Sequence, residues 1–233
     1  MKNISSGRLY IVSTPIGNLD DISRRALECL GNVGLIACED TRHTGLMLSR
    51  LGIKNKLISY HNFNEASRSS TIVNNLENGI DVALVSDAGT PGICDPAYRV
   101  VRAAIDGGFD VLSVPGPSSL LSALVISGLP LDRFIFEGFL PPKGAKRLKR
   151  IEALVDEIRT IVFFESPHRV VSLLESVRDI LGEREVSVSR ELTKLHEETV
   201  RGTVSDIIAK LSDTKRRGEY TIVVQGLTRK VKR

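Results

Sequence analysis

The sequence lacks the features that mark exported and membrane proteins. No run approaches the roughly 18 uncharged apolar residues that a membrane-spanning helix needs. The first residues, MKNISSGRLYIV, contain no apolar signal core. The three cysteines, Cys29, Cys38 and Cys94, form no C-x-x-C pair, which argues against a disulfide framework and a zinc knuckle. These absences predict a protein of the reducing cytoplasm with no membrane anchor.

Common nucleotide-binding and metal-binding signatures are also missing. The chain has no G-x-G-x-x-G behind its first predicted strand and no G-x-x-x-x-G-K-[ST], which excludes a dinucleotide fingerprint and a P-loop. Its four histidines show no H-x-x-x-H spacing, so no metal is expected. Aromatic residues make up only 5% of the chain, and no stacking platform for single-stranded nucleic acid is evident.

What the chain does have is the composition of a globular α/β protein. It contains 233 residues, of which 42% are hydrophobic and 26% charged, enough for one large or two small domains. Short apolar runs in the first half predict five strands, at residues 9–13, 34–38, 56–60, 80–86 and 109–114. Helical patterns follow them at residues 20–30, 43–52, 67–78, 96–107 and 118–128. This series predicts a mostly parallel sheet with helices on both faces.

The second half repeats the alternation less regularly. Strands are predicted at residues 134–140, 160–166, 184–192, 198–204 and 219–226, and helices at 144–158, 168–181 and 205–213. A stiff turn at Pro115, Gly116 and Pro117 separates the halves. We therefore predict one α/β domain over residues 1–115 and a second over residues 116–233.

Turn-forming and acidic residues concentrate behind the five strands of the first half. These segments are TPIGNLDD (14–21), EDTRH (39–43), HNFNEASR (61–68), DAGTPGICDP (87–96) and PGPSS (115–119). Because the carboxyl ends of parallel strands meet at one edge of a sheet, the segments predict a ligand pocket there. Gly89 and Gly92 remove Cβ where the backbone bends sharply or approaches a ligand; an ordinary tight turn is the alternative.

Positive charge is clustered although the net charge is only +4. Lys and Arg concentrate in PPKGAKRLKR (141–150), TKRRGEY (214–220) and TRKVKR (228–233). Such clusters contact nucleic-acid phosphates in some proteins and are simply solvated in others.

Eight stretches resemble, in order and spacing, the tetrapyrrole methylase superfamily, and they cover nearly the whole chain from Arg8 to Gly226. They are LYIVSTPIGNLDDISRRALECL, ACEDTRHTGLMLSRLGI, SYHNFNE, VALVSDAGTPGICDPAYRVV, VPGPSSLLSALVISGLP, FEGFLPPK, FFESPHRV and SRELTKLHEE. Within the superfamily they are similar to the bacterial 16S rRNA (cytidine-2′-O)-methyltransferase branch. Porphyrin-type members carry G-x-G-P-G-D and G-D-P-x-x-Y, where this chain has TPIGN (14–18) and DAGTPG (87–92). That difference favours an RNA substrate over a corrin or haem precursor.

The resemblance implies two α/β domains with S-adenosylmethionine (SAM) in a cleft between them, and a homodimer. It implies methylation of a cytidine 2′-hydroxyl in 16S rRNA of the small ribosomal subunit. Methylation of a small tetrapyrrole and non-catalytic RNA binding are the alternatives. Matching positions imply cofactor contacts at Pro15, Asp87, Ala88, Gly89, Thr90, Pro91, Ile93, Pro115, Gly116, Ser118, Ser119, Phe164, Gln225 and Gly226.

Methyl transfer to a ribose hydroxyl is an in-line displacement that benefits from positioning and from a base. Asp40, Asp87 and Glu165 directly follow predicted strands and are the first candidates for that base, although Asp40 alternatively caps the next helix. Further candidates at the strand ends are Glu39, His61, His168, Lys194 and Glu197. Substrate RNA contacts are expected from Arg42, His61, Lys143, Lys146, Arg147, His168, Arg169 and Lys194, with Lys143, Lys146, Arg147 and Lys149 facing solvent.

Overall fold

A computed structural model describes residues 6–212 and 217–228 of the chain. The chain forms two compact units that divide between Ser118 and Ser119. Residues 213–216 and 229–233, which hold most of the charge in the two predicted basic clusters at 214–220 and 228–233, lie outside the described residues.

The first unit is built on a parallel sheet. Its strands are β1 (Leu9–Val12), β2 (Leu35–Cys38), β3 (Leu57–Ser59), β4 (Val82–Leu84) and β5 (Val111–Val114). They lie in the order β3-β2-β4-β1-β5, and every neighbouring pair is parallel. The helices are α1 (Arg24–Asn32), α2 (Thr41–Arg50), α3 (Glu65–Glu77) and α4 (Tyr98–Asp106).

Both faces of this sheet are covered, which explains why its strands are continuous apolar runs. One face packs against α1 and α2, with Ile36 and Leu48 in the core. The opposite face packs against α3 and α4, with Ile72 and Leu84 in the core. The predicted arrangement of a parallel sheet with helices on both faces is thereby confirmed.

The helix predicted at residues 20–30 begins later than expected. Residues Leu19–Asp21 form a separate 3₁₀ turn. Ser23 then accepts a hydrogen bond from the Ala26 backbone N–H at 3.1 Å and caps α1. A serine cap supplies the acceptor that the first turn of a helix lacks, so the helix starts there.

The second unit contains a mixed sheet. Its strands are β6 (Phe134–Phe139), β7 (Thr160–Glu165), β8 (Glu185–Arg190), β9 (Glu198–Thr203) and β10 (Tyr220–Val224). The order is β6-β7-β10-β8-β9; β6 and β7 are parallel, and the other pairs are antiparallel. The helices are α5 (Ser119–Val125), α6 (Ala145–Glu152), α7 (Val170–Leu181) and α8 (Val204–Ser212).

The core of the second unit joins α6, α7 and α8 to one face of the sheet, through residues such as Phe163, Leu173 and Ile207. The helix predicted at residues 144–158 is too long, because α6 ends at Glu152. After it the chain forms tight turns, and the guanidinium of Arg184 donates to the Val155 carbonyl at 3.3 Å. That carbonyl therefore accepts a hydrogen bond from a side chain beyond the end of the helix.

Within residues 6–212 and 217–228, no helix combines the length and the apolar character that a membrane span requires.

Candidate functional site

Three loops at the carboxyl edge of the first sheet are hydrogen-bonded to one another. The Thr14 backbone N–H donates to the Gly89 carbonyl at 2.8 Å, and the Gly89 N–H donates back to Thr14 at 3.1 Å. The hydroxyls of Ser13 and Thr90 lie 2.9 Å apart, and Thr90 Oγ1 also donates to the Pro117 carbonyl at 3.3 Å. Since β4, β1 and β5 are adjacent, these bonds fix the loops behind them as one continuous rim.

Gly89 and Gly92 adopt backbone conformations that the loop behind β4 needs and that other residues disfavour. Their φ angles are +82° and +86°, a region that residues with a Cβ rarely adopt. A Cβ on Gly89 would also lie 3.3 Å from Ile16 Cγ2. The conformation of the loop therefore explains why DAGTPG contains glycine at these two positions, beside the neighbouring loops of the rim.

The cofactor residues expected in the first unit fall mostly on or beside this rim. Ala88, Ile93, Pro115 and Gly116 are exposed; Asp87, Thr90 and Ser118 are half-buried; Pro15, Gly89 and Pro91 are buried. The remaining expected residues belong to the second unit, where Ser119 begins α5, Phe164 lies in β7, and Gln225 and Gly226 follow β10.

Asp40 acts as the cap of α2. Its carboxylate accepts hydrogen bonds from the backbone N–H groups of Arg42 at 2.8 Å and His43 at 3.4 Å. The Arg42 guanidinium also donates to it, at 3.1 Å. These bonds, above all those from the Arg42 side chain, lower the pKa of Asp40 to about 2. The capping alternative is confirmed, and so acidic a carboxyl is poorly suited to be a base near neutral pH.

Asp87 is the candidate base with an available oxygen. Its Oδ1 accepts from the Asp40 backbone N–H at 3.2 Å, which links the loops behind β2 and β4. Its Oδ2 makes no hydrogen bond to any described residue. Asp87 is therefore held by one oxygen while the other is available to a ligand.

Glu39 and Asp95 form an acidic group with Asp87. Burial raises the pKa of Glu39, and the charges of Asp95 and Asp87 raise it further. Burial also raises the pKa of Asp95, against a hydrogen bond from Ser86 that lowers it, and the Asp87 charge adds to the rise. Asp95 was absent from the sequence-based candidates because it looks like part of a turn before Pro96.

The loop behind β3 presents an exposed aromatic side chain. Asn64 holds the loop: its Oδ1 accepts from the His61 N–H at 2.9 Å, and its Nδ2 donates to Ser59 Oγ at 3.1 Å. Phe63 is 98% exposed and meets the His61 ring edge-on. Sequence reasoning missed Phe63 because overall aromatic content says nothing about where a single ring projects.

Glu165, the third candidate base, is enclosed in the second unit. Its side chain is fully buried, and Oε1 lies 2.7 Å from Arg169 Nη2 and accepts from the Ser166 N–H at 2.8 Å. Its Oε2 lies 3.4 Å from Arg147 Nη1. Because both oxygens have partners and neither meets solvent, the geometry gives Glu165 a structural role rather than contact with a reacting hydroxyl.

The basic residues differ in exposure. The prediction that Arg147 faces solvent is wrong: the residue is only 3% exposed, because it lies on the buried side of α6 with Ile151. Lys143, Lys146, Lys149, His168 and Arg42 are exposed, whereas Arg169 is partly buried. Lys194 is partly buried and pairs with Glu191 at 2.9 Å and Glu219 at 3.6 Å.

No group of three or more His, Cys, Asp or Glu side chains within the described ranges, 6–212 and 217–228, is placed to hold a metal ion.

A sequence profile described as "Tetrapyrrole (Corrin/Porphyrin) Methylases" matches residues 8–208 of the chain. The chain belongs to this family. Among its curated relatives, the "Ribosomal RNA small subunit methyltransferase I" of Thermotoga maritima is 48% identical over 220 residues, covering 94% of this chain and 99% of the relative. The protein of the same name from Escherichia coli O157:H7 is 47% identical over 225 residues, covering 95% and 79%.

Solved structures of other methyltransferases share the fold. The methyltransferase CobJ superposes with a TM-score of 0.69 at 18% identity and covers 97% of both chains. A uroporphyrin-III C-methyltransferase from Thermus thermophilus, complexed with S-adenosyl homocysteine, gives a TM-score of 0.64 at 17% identity, covering 93% of this chain and 97% of that one. At such identities the likeness establishes the α/β fold of the two units and not the substrate.

Proposed function

We propose that the chain is a SAM-dependent methyltransferase that methylates the 2′-hydroxyl of a cytidine in 16S rRNA of the small ribosomal subunit. The observation that carries the proposal is identity of 44–48% over 94–96% of the chain with relatives named Ribosomal RNA small subunit methyltransferase I. The TPIGN and DAGTPG segments, which depart from the porphyrin-type motifs, favour the same substrate.

The rim of the first unit fits a methyl donor of this kind. When bound, SAM supplies an electrophilic methyl group on a sulfonium. An adenosine and an amino-acid end need apolar walls with a few backbone partners. Ala88, Ile93, Pro115 and Gly116 present exposed apolar atoms and backbone there. A Cβ at Gly89 or Gly92 would come within 3.3 Å of Ile16 or 3.1 Å of Ala97 and would strain the loop. We assign these residues to the donor.

The chain's own contribution to the reaction is positioning and proton acceptance. Asp87 Oδ2 would accept the proton of the ribose 2′-hydroxyl. SAM, held by the rim residues, would supply the methyl group to the ribose oxygen and leave as S-adenosylhomocysteine when its sulfur–methyl bond breaks. The backbone N–H of Asp40, which donates to Oδ1, fixes the direction of the carboxylate. Glu39 and Asp95 lie near enough to this base for its charge to raise their pKa values, after burial as the main cause. Alignment of the two reactants supplies the larger part of the rate acceleration.

The RNA is held by cations and by one ring. Arg42 and His61 lie behind β2 and β3, and Phe63 offers a face on which a base can stack. The exposed Lys143, Lys146 and His168, with Arg169 and Lys194, contribute contacts from the second unit. A 2′-hydroxyl acceptor also gives the enzyme a means to distinguish RNA from DNA.

We further propose that the protein is a cytoplasmic homodimer. Light scattering coupled to gel filtration then gives twice the 25.5 kDa of one chain. A mass of one chain, unchanged by concentration, would contradict the dimer.

The function is tested with tritiated SAM and three acceptors: small ribosomal subunits lacking the modification, large ribosomal subunits, and a porphyrinoid. We expect label in 16S rRNA alone. Label in the porphyrinoid would support the tetrapyrrole alternative, and absence of SAM binding in calorimetry would support the non-catalytic alternative.

A further inference from the structure

Arg147 is buried with most of its donors unused. It lies in the first half of α6, is 3% exposed, and donates only through Nη1, to Glu165 Oε2 and to the Pro142 carbonyl, both at 3.4 Å. Its Nε and Nη2 groups have no hydrogen-bond partner among the described residues. Buried N–H donors without acceptors carry a desolvation cost, so this arrangement points to a missing partner.

The charge around Arg147 is also unbalanced. Arg147 and Arg169 both face Glu165, and Arg169 holds it more closely, at 2.7 Å against 3.4 Å. Two cations thus share one buried carboxylate. Burial lowers the pKa of Arg147, Glu165 raises it, and repulsion from Arg169 lowers it again. A buried excess of positive charge is stabilised by an anion.

The geometry of the unused groups identifies the class of anion. Nε and Nη2 form the edge of a guanidinium that receives two oxygens of a carboxylate or phosphate side by side. Arg150, on the same helix, directs this edge at Glu137, and Arg159 directs it at Glu157. The same edge of Arg147 meets no carboxylate within residues 6–212 and 217–228. Its missing partner is therefore an oxyanion.

The surroundings of Arg147 favour a phosphate from outside the chain. Lys143 and Lys146 are exposed beside it in sequence, and the Arg169 side chain is 30% exposed. The preceding segment contacts the guanidinium through the Pro142 carbonyl at the long limit of a hydrogen bond. Gly144, at φ +81°, starts α6 without a side-chain cap. The Gly144 carbonyl accepts the Arg147 backbone N–H at 3.0 Å and belongs to the start of the helix. Displacing residues 141–143 alone breaks one long side-chain hydrogen bond to Arg147.

We propose that Arg147, oriented by Glu165, is the buried anchor of a phosphate site that receives one backbone phosphate of the substrate RNA when residues 141–143 move aside. The RNA part of this inference rests on the proposed function. The oxyanion part rests on the contacts of Arg147 within the second unit and does not depend on that function.

The first experiment uses no RNA. The Nε–H signal of Arg147, assigned by its loss in Arg147→Met, is followed by ¹H–¹⁵N NMR while inorganic phosphate is added at constant ionic strength. We expect a saturable shift of this signal with phosphate and none with chloride. If phosphate does not shift the signal, water solvates the Nε and Nη2 groups of Arg147, and the proposed site is refuted.

The second experiment measures binding of a 16S rRNA transcript across a range of salt concentrations. Arg147→Met replaces the guanidinium with a shorter, unbranched apolar side chain and leaves Glu165 paired with Arg169, so the fold should persist. We expect about a tenfold loss of affinity at low salt, and a salt slope smaller by about 0.7–0.9, the value for one phosphate contact. SAM affinity and thermal stability stay unchanged.

Arg150→Met is the matched control, because Glu137 already occupies the guanidinium edge of Arg150. It should change RNA affinity less than Arg147→Met. Equal affinities and slopes for Arg147→Met and wild type would refute the RNA contact, as would a loss of affinity with an unchanged slope. If the chain fails to methylate rRNA while the phosphate shift persists, the proposed function fails and the oxyanion site stands.

Discussion

The two units offer ligands different kinds of chemistry. In the first, a parallel sheet brings loops together at one edge, and backbone bonds such as those between Thr14 and Gly89 fix them. In the second, a mixed sheet and α6 enclose charged side chains, with Arg147, Glu165 and Arg169 in one cluster. The topology of the sheet creates the first site, whereas the packing of three charged side chains creates the second. Substitutions in the first should therefore act mainly through chemistry, whereas loss of the Glu165 carboxylate in the second should act mainly through stability.

The largest effect is expected from Glu165→Ala, which leaves two guanidinium groups without their buried carboxylate. Removing one partner of a buried ion pair costs about 3–5 kcal/mol of unfolding free energy, measurable by urea denaturation. The sequence made Glu165 a candidate base; its buried pairing with Arg147 and Arg169 shifts the expected effect of the substitution to stability. Glu198→Ala, which removes an exposed pair with Arg190, is the control and should cost about 1 kcal/mol or less.

Adding Arg147→Met to Glu165→Ala should restore part of the lost stability, since one unpaired buried cation is removed. A double variant no more stable than the single one would contradict the account of the cluster.

Asp87→Asn comes next and tests the first unit. The amide keeps an acceptor for the Asp40 N–H but cannot take up a proton, so turnover should fall by about 100-fold, within the range for loss of a general base. Asp87→Ala should lose at least tenfold. Tritium transfer to small subunits measures both, with SAM affinity and melting temperature as checks on the fold. Turnover equal to wild type would remove Asp87 from the reaction.

Gly89→Ala should have a smaller, mixed effect. A residue with a Cβ in the left-handed region costs about 1–2 kcal/mol, and the added methyl approaches Ile16. Calorimetry should show weaker SAM binding together with the lower stability. Gly31→Ala in α1 is the control, because its Cβ meets no atom within 4 Å; it should stabilise the helix by roughly 0.5–1 kcal/mol. If Gly89→Ala binds SAM with unaltered affinity, Gly89 does not contribute to the cofactor site.

The smallest effect concerns Asp40 and pH. Its pKa is lowered on folding, from 3.8 to about 2, so its charge stabilises the fold above pH 4 and progressively less as the pH falls towards 2. Asn caps helices as well as Asp does but carries no charge. The urea midpoint of Asp40→Asn should lie below that of wild type at pH 6 and approach it at pH 2.5. A constant difference over this range would contradict the pairing with Arg42.

The first unit was largely predictable from sequence because each step follows a general rule. Apolar runs predicted the strands, alternation with helices predicted the parallel sheet, and a parallel sheet places the loops behind β1, β4 and β5 on one edge. Even so, the sequence left two interpretations of Asp40 open, as a helix cap and as a catalytic base. The neighbourhood of Glu39, Asp87 and Asp95 depends on loop paths that no periodicity encodes.

The second unit was less predictable because it buries charged residues, which general rules assign to the surface. Hydropathy assigns an arginine to the surface, yet Arg147 occupies the same side of α6 as Ile151, four residues later. The i, i+4 spacing was the available signal, and it is outweighed by the strong preference of Arg for solvent. Glu165 likewise ends a strand as a catalytic carboxylate would, and only the positions of Arg147 and Arg169 show that it is enclosed.

The account is tested most directly by nucleoside mass spectrometry of 16S rRNA from small subunits incubated with SAM and either wild type or Asp87→Asn. It predicts 2′-O-methylcytidine with the wild type and about a hundredth of that rate with the variant. A methyl group on a base, or equal yields from the two proteins at early times, would contradict it.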